Sequence, residues 1–211
     1  SRSNVANGSW IFMPSSNLWD WDKKGKARDY YSPELCAALR EPLLSWPLLF
    51  APGRPSVALH LRRGDLPPDE PRTTPDTYYF ELLDRIRLLL PEADVHVWSS
   101  LPPPLSYPKG KRWWNDEDFD GYRQRGAQVH LEDDILLDPW AHMMNAHVFV
   151  MSKSSFSYIP AVLNPNCVVG TGNEGRMWLE AGWVSAEKEL QRGRNESTAL
   201  RDCINRVWPP S

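Results

Sequence analysis

Between residues 56 and 170, short apolar runs alternate with segments of helical periodicity. Each apolar run has four or five residues and is rich in β-branched side chains, which predicts a strand. The runs are bounded by Pro, Gly, Ser or Asp, as strand ends usually are. The predicted strands cover residues 57–61, 94–98, 128–131, 148–151 and 166–169.

Helices are predicted before, between and after these strands. Three of these helices have a proline at the first helical position, namely Pro33, Pro75 and Pro139. Thr74 is the predicted cap of the helix that starts at Pro75, and Asp138 is the predicted cap of the helix that starts at Pro139. The first helix covers residues 33–44, and another opens at Ser154 and Ser155. Residues 102–120 predict a loop, and residues 186–207 predict one or two helical pieces.

The alternation of strand and helix predicts an α/β fold with a doubly wound parallel sheet. We divide the chain into an irregular N-terminal segment (1–55), a Rossmann-like domain (56–185) and a C-terminal helical tail (186–211). Ligands of such sheets bind outside the carboxyl ends of the strands, so the loops that follow the strands are where a site is expected.

Composition narrows the class of protein. The 211 residues carry 24 Lys and Arg against 27 Asp and Glu, a net charge of −3, which argues against a non-specific nucleic-acid-binding protein. The 41% hydrophobic content argues against disorder, and no apolar run has the length of a membrane span. Three cysteines, an odd number, predict no disulfide framework, while Asn7 and Asn195 lie in glycosylation patterns that favour a secretory or Golgi lumen.

The first predicted strand runs into a charged turn. The residues from His60 to Asp65 read His-Leu-Arg-Arg-Gly-Asp. Because neighbouring residues of a strand point to opposite faces, Arg62 and Arg63 are expected to do different jobs, one facing the cleft and one folding back. A guanidinium suits phosphate, although a surface Arg–Asp pair beside a buried histidine is an equally ordinary interpretation.

The fourth predicted strand runs into a second polar turn, Ser152 to Ser155, which opens a helix. The N-terminus of a helix attracts phosphate, and serine also serves as an ordinary helix cap. Neither turn has the glycine pattern of dinucleotide or Walker-type sites, which disfavours an NAD enzyme or a P-loop ATPase.

In this order and spacing, the two turns resemble the fucosyltransferases of the α1,2/α1,6 and protein-O-fucosyl group. The resemblance covers residues 56–170 and includes Ala-Val-Leu-Asn at residues 161–164. It implies the Rossmann-like donor-binding half of a B-type glycosyltransferase. The expected activity moves fucose from GDP-fucose to a hydroxyl of a glycan or protein, with inversion and without a metal or other cofactor.

The resemblance also implies roles for individual residues. Arg62 would hold the β-phosphate and stabilise the departing GDP, and Glu70, with Asp69 as its rival, would be the catalytic base. The remaining predicted donor-binding residues are His60 and Asp138 by the guanine, Ser154 and Ser155 at the pyrophosphate, Arg63 and Asp65 in the turn, and Phe156 beside the serines in the sequence. The chain departs from the family pattern at Pro139 and Trp140, and at Tyr158 and Ile159.

Two other classes of protein stay open. A metal-dependent A-type glycosyltransferase would use an Asp-x-Asp triplet, present at residues 20–22 and 118–120, whereas His142, His147 and residues 132–134 have no fixed metal-ligand geometry. A non-catalytic nucleotide-sugar- or glycan-binding module would stack sugar rings on exposed tryptophans, for which the candidates are Trp113, Trp114, Trp178 and Trp183.

Overall fold

The protein has an α/β fold built on one six-stranded parallel sheet. A computed structural model describes residues 31–101, 113–131, 137–170, 182–193 and 198–209. The strand order in the sheet is β3-β2-β1-β4-β5-β6, and every neighbouring pair is parallel. The strands are β1 (Ser56–His60), β2 (Asp94–Trp98), β3 (Ala127–His130), β4 (Val148–Val150), β5 (Cys167–Gly170) and β6 (Val184–Ser185).

Seven α-helices lie within the described residues. The first begins with a capped turn, because the Ser32 hydroxyl accepts a hydrogen bond from the Leu35 amide at 3.3 Å and Pro33 fits the first helical position. The helices are α1 (Pro33–Leu44), α2 (Asp76–Leu89), α3 (Asp120–Arg123), α4 (Leu137–Asn145), α5 (Ser155–Leu163), α6 (Ala186–Gln191) and α7 (Thr198–Val207); a 3₁₀ helix (Asp116–Phe119) precedes α3.

Most predicted elements are confirmed, and the exceptions are local. The predicted caps at Thr74 and Asp138 are wrong: α2 begins at Asp76 after Pro75, and α4 begins at Leu137, which puts Asp138 inside its first turn. The end of the predicted loop 102–120 forms the 3₁₀ helix, and residues 102–112 lie outside the described part. Strand β6 was not predicted, because two residues carry no periodic signal.

Helices cover both faces of the sheet, as the doubly wound prediction requires. Val57 and Leu59 of β1 point to the face packed by α2 and α7, where Leu82 and Ile204 are buried. Ala58, between them, points to the opposite face, which α4 and α5 cover. The alternation follows from the two-residue period of a strand.

The strand order reverses between β1 and β4, which is where ligands of such sheets usually bind. Strands β2 and β3 lie on one side of β1, while β4, β5 and β6 lie on the other. This is the order of dinucleotide-binding sheets, in which a crevice opens outside the carboxyl ends of the two strands at the reversal. The turns after His60 and after Val150 border that crevice.

The ends of the described chain pack onto the same unit. Helix α1 packs against α4 and α5, and α7 packs against β5. Cys167 of β5 and Cys203 of α7 form a disulfide, and Cys36 is a free thiol. The expectation of no disulfide framework is therefore wrong, because three cysteines leave room for one bond and one thiol. No helix within the described ranges is long and apolar enough to span a membrane.

Candidate functional site

The two polar turns predicted from the sequence meet at the crevice between β1 and β4. Arg62, after β1, donates a hydrogen bond from Nη1 to the Lys153 carbonyl, after β4, at 3.4 Å. Beneath this contact, Nδ1 of His60 lies 2.7 Å from the hydroxyl of Ser152. Segments about ninety residues apart in the chain therefore form one surface.

Arg62 is a cation of this surface, and the exposed carboxylate of Asp65 pairs with it. Its Nη2 donates to Asp65 Oδ2 at 2.7 Å and its Nε donates to Oδ1 at 3.3 Å, a two-point contact. The hydrogen bond from Arg62 lowers the pKa of Asp65 below its usual range. Gly64, between them, has a φ of +33°, a left-handed value that glycine adopts without strain. The side chain of Arg62 is 24% exposed and that of Asp65 is 62% exposed, so an incoming anion can reach the guanidinium.

Arg63 has the opposite environment, as the alternation of side chains predicted. Its side chain is 2% exposed and forms an ion pair with Asp76. It donates to the Thr74 carbonyl at 2.9 Å and lies 4.7 Å from the ring centre of Trp114. Although the sequence grouped Arg63 with the donor-binding residues, the structure places it as an internal support of the turn.

Other buried groups complete this support. The hydroxyl of Tyr122 donates to the Asp76 carboxylate at 2.6 Å, and the indole of Trp114 donates to the Leu66 carbonyl at 2.7 Å. Trp114 is therefore buried, and its prediction as an exposed sugar-stacking residue is wrong. Trp113 and Trp183 are partly exposed, and Trp178 lies outside the described residues.

His60 is a neutral residue at the floor of the crevice. Burial, and then the charges of Arg62 and Arg63, lower its pKa to about 3. Its ring lies 4.9 Å from that of Phe156, the second residue of α5. An uncharged imidazole there can exchange hydrogen bonds without adding charge.

The turn after β4 presents the start of α5 to Arg62. Ser154 is buried and caps the helix, its hydroxyl oxygen accepting from the Phe156 amide at 3.2 Å. Ser157 donates to the carbonyls of Ser152 and Ser154 at 3.1 Å and fixes the turn from beneath. Ser155 is exposed at the first helical position, and Lys153 is partly exposed.

Asp138 is hydrogen-bonded to Trp46, which lies in a segment to which the sequence analysis assigned no function. Its Oδ1 accepts from the indole of Trp46 at 2.7 Å, and the Leu49 amide donates to Nε2 of His142, one turn further along α4, at 2.9 Å. The ring of Trp140 lies 5.8 Å from that of Phe156, which links α4 to the start of α5. Contacts between residues more than ninety positions apart leave no local pattern, so Trp46 was missed.

The candidate base lies in the turns that follow Asp65. Glu70 accepts from Nε of Arg72 at 2.8 Å, and its side chain is 30% exposed. Its rival, Asp69, is exposed. Both carboxylates are in reach of solvent.

The candidate metal ligands are buried, have protein partners or lie outside the described residues. Asp118 accepts from the Asn115 amide at 2.7 Å, and Asp120 pairs with Arg123 at 2.8 Å. His142 is buried on α4, and His147 pairs with Ser56 at 2.7 Å at the other end of the sheet. Across the described parts of the chain, no three His, Cys, Asp or Glu side chains are grouped to hold a metal ion; residues 20–22 and 132–134 lie outside them.

No protein-family model and no curated protein matches the chain. A function must therefore be inferred from the geometry of the crevice and the two motifs beside it.

Proposed function

We propose that the chain is the donor-binding part of a B-type glycosyltransferase. It transfers a sugar, fucose from GDP-fucose, to a hydroxyl of a glycan or protein, with inversion and without a metal. The observation that carries the proposal is the meeting of the Arg62 turn and the Ser152–Ser155 turn at the crevice between β1 and β4. The choice of guanine and fucose depends on the motif resemblance.

The two turns together suit a diphosphate. The two-point contact of Arg62 with Asp65 has the geometry with which a guanidinium binds a phosphate, so phosphate oxygens can replace the carboxylate. Across the crevice, the N-terminus of α5 carries a partial positive charge, and Ser154 and Ser155 offer hydroxyl donors. One phosphate is then bound from each side.

This arrangement favours departure of GDP. As the bond between the sugar and the β-phosphate breaks, negative charge grows on the phosphate oxygens, where the fixed guanidinium of Arg62 stabilises it. The acceptor hydroxyl oxygen attacks the anomeric carbon from the opposite side and passes its proton to a carboxylate. Glu70 is the first candidate for that base, and it must part from Arg72 to serve.

The remaining assignments follow from position. His60, neutral and buried at the crevice floor, and Asp138, at the start of α4, are assigned to the guanine side. The buried Cys167–Cys203 disulfide favours an oxidising compartment, in keeping with a secretory or Golgi enzyme acting on glycans or glycoproteins.

The test is calorimetry with GDP, followed by an assay of GDP release from GDP-fucose. We expect the wild-type protein to bind GDP, and Arg62→Ala to abolish release. Arg54→Ala is the matched control, because Arg54 is an exposed arginine at the amino end of the sheet whose Nε donates to the Glu92 carbonyl at 2.7 Å. Near-wild-type release by Arg62→Ala would overturn the assignment.

The alternatives give different results in the same assays. A non-catalytic nucleotide-sugar module binds GDP but releases none from the sugar nucleotide, and a glycan-binding module binds no GDP. We expect activity to persist in excess chelator, whereas its loss would favour a metal-dependent mechanism.

A further inference from the structure

A chain of hydrogen bonds crosses the sheet from the start of β2 to the end of β3. Asp94 Oδ2 accepts from the Ala51 amide at 2.7 Å and lies 3.2 Å from Nε2 of His96. The other nitrogen of His96, Nδ1, lies 2.9 Å from Nε2 of His130. Three ionisable side chains are thus connected in line, and the mechanism above uses none of them.

The chain ends beside the candidate site. His60, Trp98 and His130 are register partners at the carboxyl ends of β1, β2 and β3. With strands about 4.8 Å apart, His130 lies roughly 10 Å from His60 along this edge. Its ring stacks on that of Trp98, with centres 4.8 Å apart, and the residue is partly exposed. Asp138 is close enough to raise the pKa of His130, although burial is the larger effect.

The direction of the hydrogen bonds follows from the carboxylate. Asp94, whose pKa is lowered, is ionised and can only accept, so Nε2 of His96 carries a proton and its Nδ1 is an acceptor. Nε2 of His130 must then donate to it. Because burial lowers the pKa of His96, and that of His130 to about 4, neither ring takes a second proton at neutral pH. Nδ1 of His130 is consequently an acceptor.

Gln128 also contacts this chain of groups. Its amide nitrogen donates to Asp94 Oδ1 at 3.4 Å and lies 3.1 Å from Nε2 of His96. The ionised Asp94 carboxylate therefore has Gln128 as a donor on one oxygen and His96 on the other.

We propose that His130 is a specificity-determining residue of the donor site, whose Nδ1 accepts a hydrogen bond from an N–H on the edge of the nucleobase. The inference depends on the proposed function. In a sheet of this order, the β1–β2–β3 half holds one mononucleotide, so a base whose phosphates lie at the β1/β4 crevice extends over β2 and β3.

The chemistry of this wall selects among bases. His130 Nδ1 and the Asp138 carboxylate are both acceptors, which suits guanine, whose edge presents a ring N–H beside an amino group. Adenine presents a ring acceptor at the same place and would leave Nδ1 facing a lone pair. Asp94 and His96 are positioning residues, because they set which nitrogen of His130 carries the proton.

The first test determines which ring nitrogen of His130 carries the proton. A long-range ¹⁵N–¹H NMR spectrum of the wild-type protein identifies the protonated ring nitrogen of each histidine. We expect the proton of His130 on Nε2, and Asp94→Asn, which removes the obligate acceptor, to mix the two tautomers. A wild-type His130 protonated on Nδ1 would overturn the inference.

The second test measures GDP and ADP affinity by calorimetry. His130→Gln keeps a donor to His96 and loses the acceptor that Nδ1 provides, so we expect the preference for GDP over ADP to fall about tenfold. His130→Asn, whose amide oxygen can lie near the position of Nδ1, is the matched control and should stay within about threefold of the wild type. Thermal melting verifies that each variant is folded.

The outcomes separate the two proposals. If the wild-type protein binds no GDP, the proposed function fails and this inference fails with it. If it binds GDP and His130→Gln keeps the full preference, only the role of His130 is overturned. Should His130→Gln not fold, titration of the wild-type protein with GDP decides, because a hydrogen bond to Nδ1 moves that ¹⁵N resonance and an unmoved resonance contradicts the proposal.

Discussion

The two faces of the sheet differ in what they bury at the strand ends. The face under α2 and α7 is lined by aliphatic side chains such as Val97, and Arg63, a cation buried on this side, is paired with a carboxylate. The face under α4 and α5 encloses His60 and His96 instead, which burial keeps neutral. One face supplies stability, and the other supplies neutral hydrogen-bonding groups beside the crevice.

The two adjacent arginines show the same division. Strand alternation turns Arg62 towards the β4 turn and Arg63 into the core. Identical chemistry in consecutive residues therefore has different consequences, which separate measurements of stability and of binding should reveal.

The largest expected effect on stability is that of Arg63→Met. Removing the guanidinium takes the buried donor from the Thr74 carbonyl and leaves Asp76 with the Tyr122 hydroxyl as its remaining donor, and breaking such a buried pair costs about 3–5 kcal/mol of unfolding free energy. Urea unfolding measures it. Arg62→Met is the matched variant and should lose no more than about 1 kcal/mol, because its partner is exposed. Equal losses in the two variants would contradict the division of roles.

Loss of the disulfide is expected to have the next largest effect on stability. It links β5 to α7 on the aliphatic face and closes a loop of 36 residues, for which loop-closure entropy gives about 3–4 kcal/mol. Urea unfolding with and without a reductant measures the difference. The denatured, unreduced protein should show one reactive thiol, from Cys36, and the reduced protein three; three thiols before reduction would refute the bond.

Much of this architecture could be predicted from the sequence, because its signals are local. The apolar run at residues 57–61 lies within one residue of β1, and Pro33 marks the start of α1. Alternation also separated the roles of Arg62 and Arg63.

What could not be predicted depends on contacts between distant residues. Trp114 follows a polar, proline-rich stretch that suggests exposure, yet the Leu66 carbonyl and Arg63 bury it. The link between Asp94 and His130 arises only because β2 and β3 pair in one register. The same holds for Trp46 on Asp138.

The smallest of these effects, and the one specific to the histidine face, is the response to acid. His60 has a pKa of about 3 in the fold against 6.5 in the unfolded chain, so below pH 6.5 the unfolded state binds a proton that the folded state does not. The free energy of unfolding then falls as the pH falls, by at most about 1.4 kcal/mol per pH unit for this residue, or about 2 kcal/mol from pH 6.5 to 5. In that window Asp65 and Asp94, whose pKa values are lowered, stay ionised and add no slope.

His60→Asn tests this assignment, because asparagine can keep a partner for Ser152 but cannot take up a proton. Urea unfolding at pH 7, 6 and 5 should give the variant a slope shallower than that of the wild type by about that amount, the remaining slope coming from His96, His130 and His147, whose pKa values are also lowered. Val97→Ala, on the aliphatic face, should lower stability at every pH without changing the slope. If His60→Asn keeps the wild-type slope of unfolding free energy against pH while Val97→Ala alters it, the acid response does not belong to the histidine face. The group that titrates would then lie among the side chains under α2 and α7.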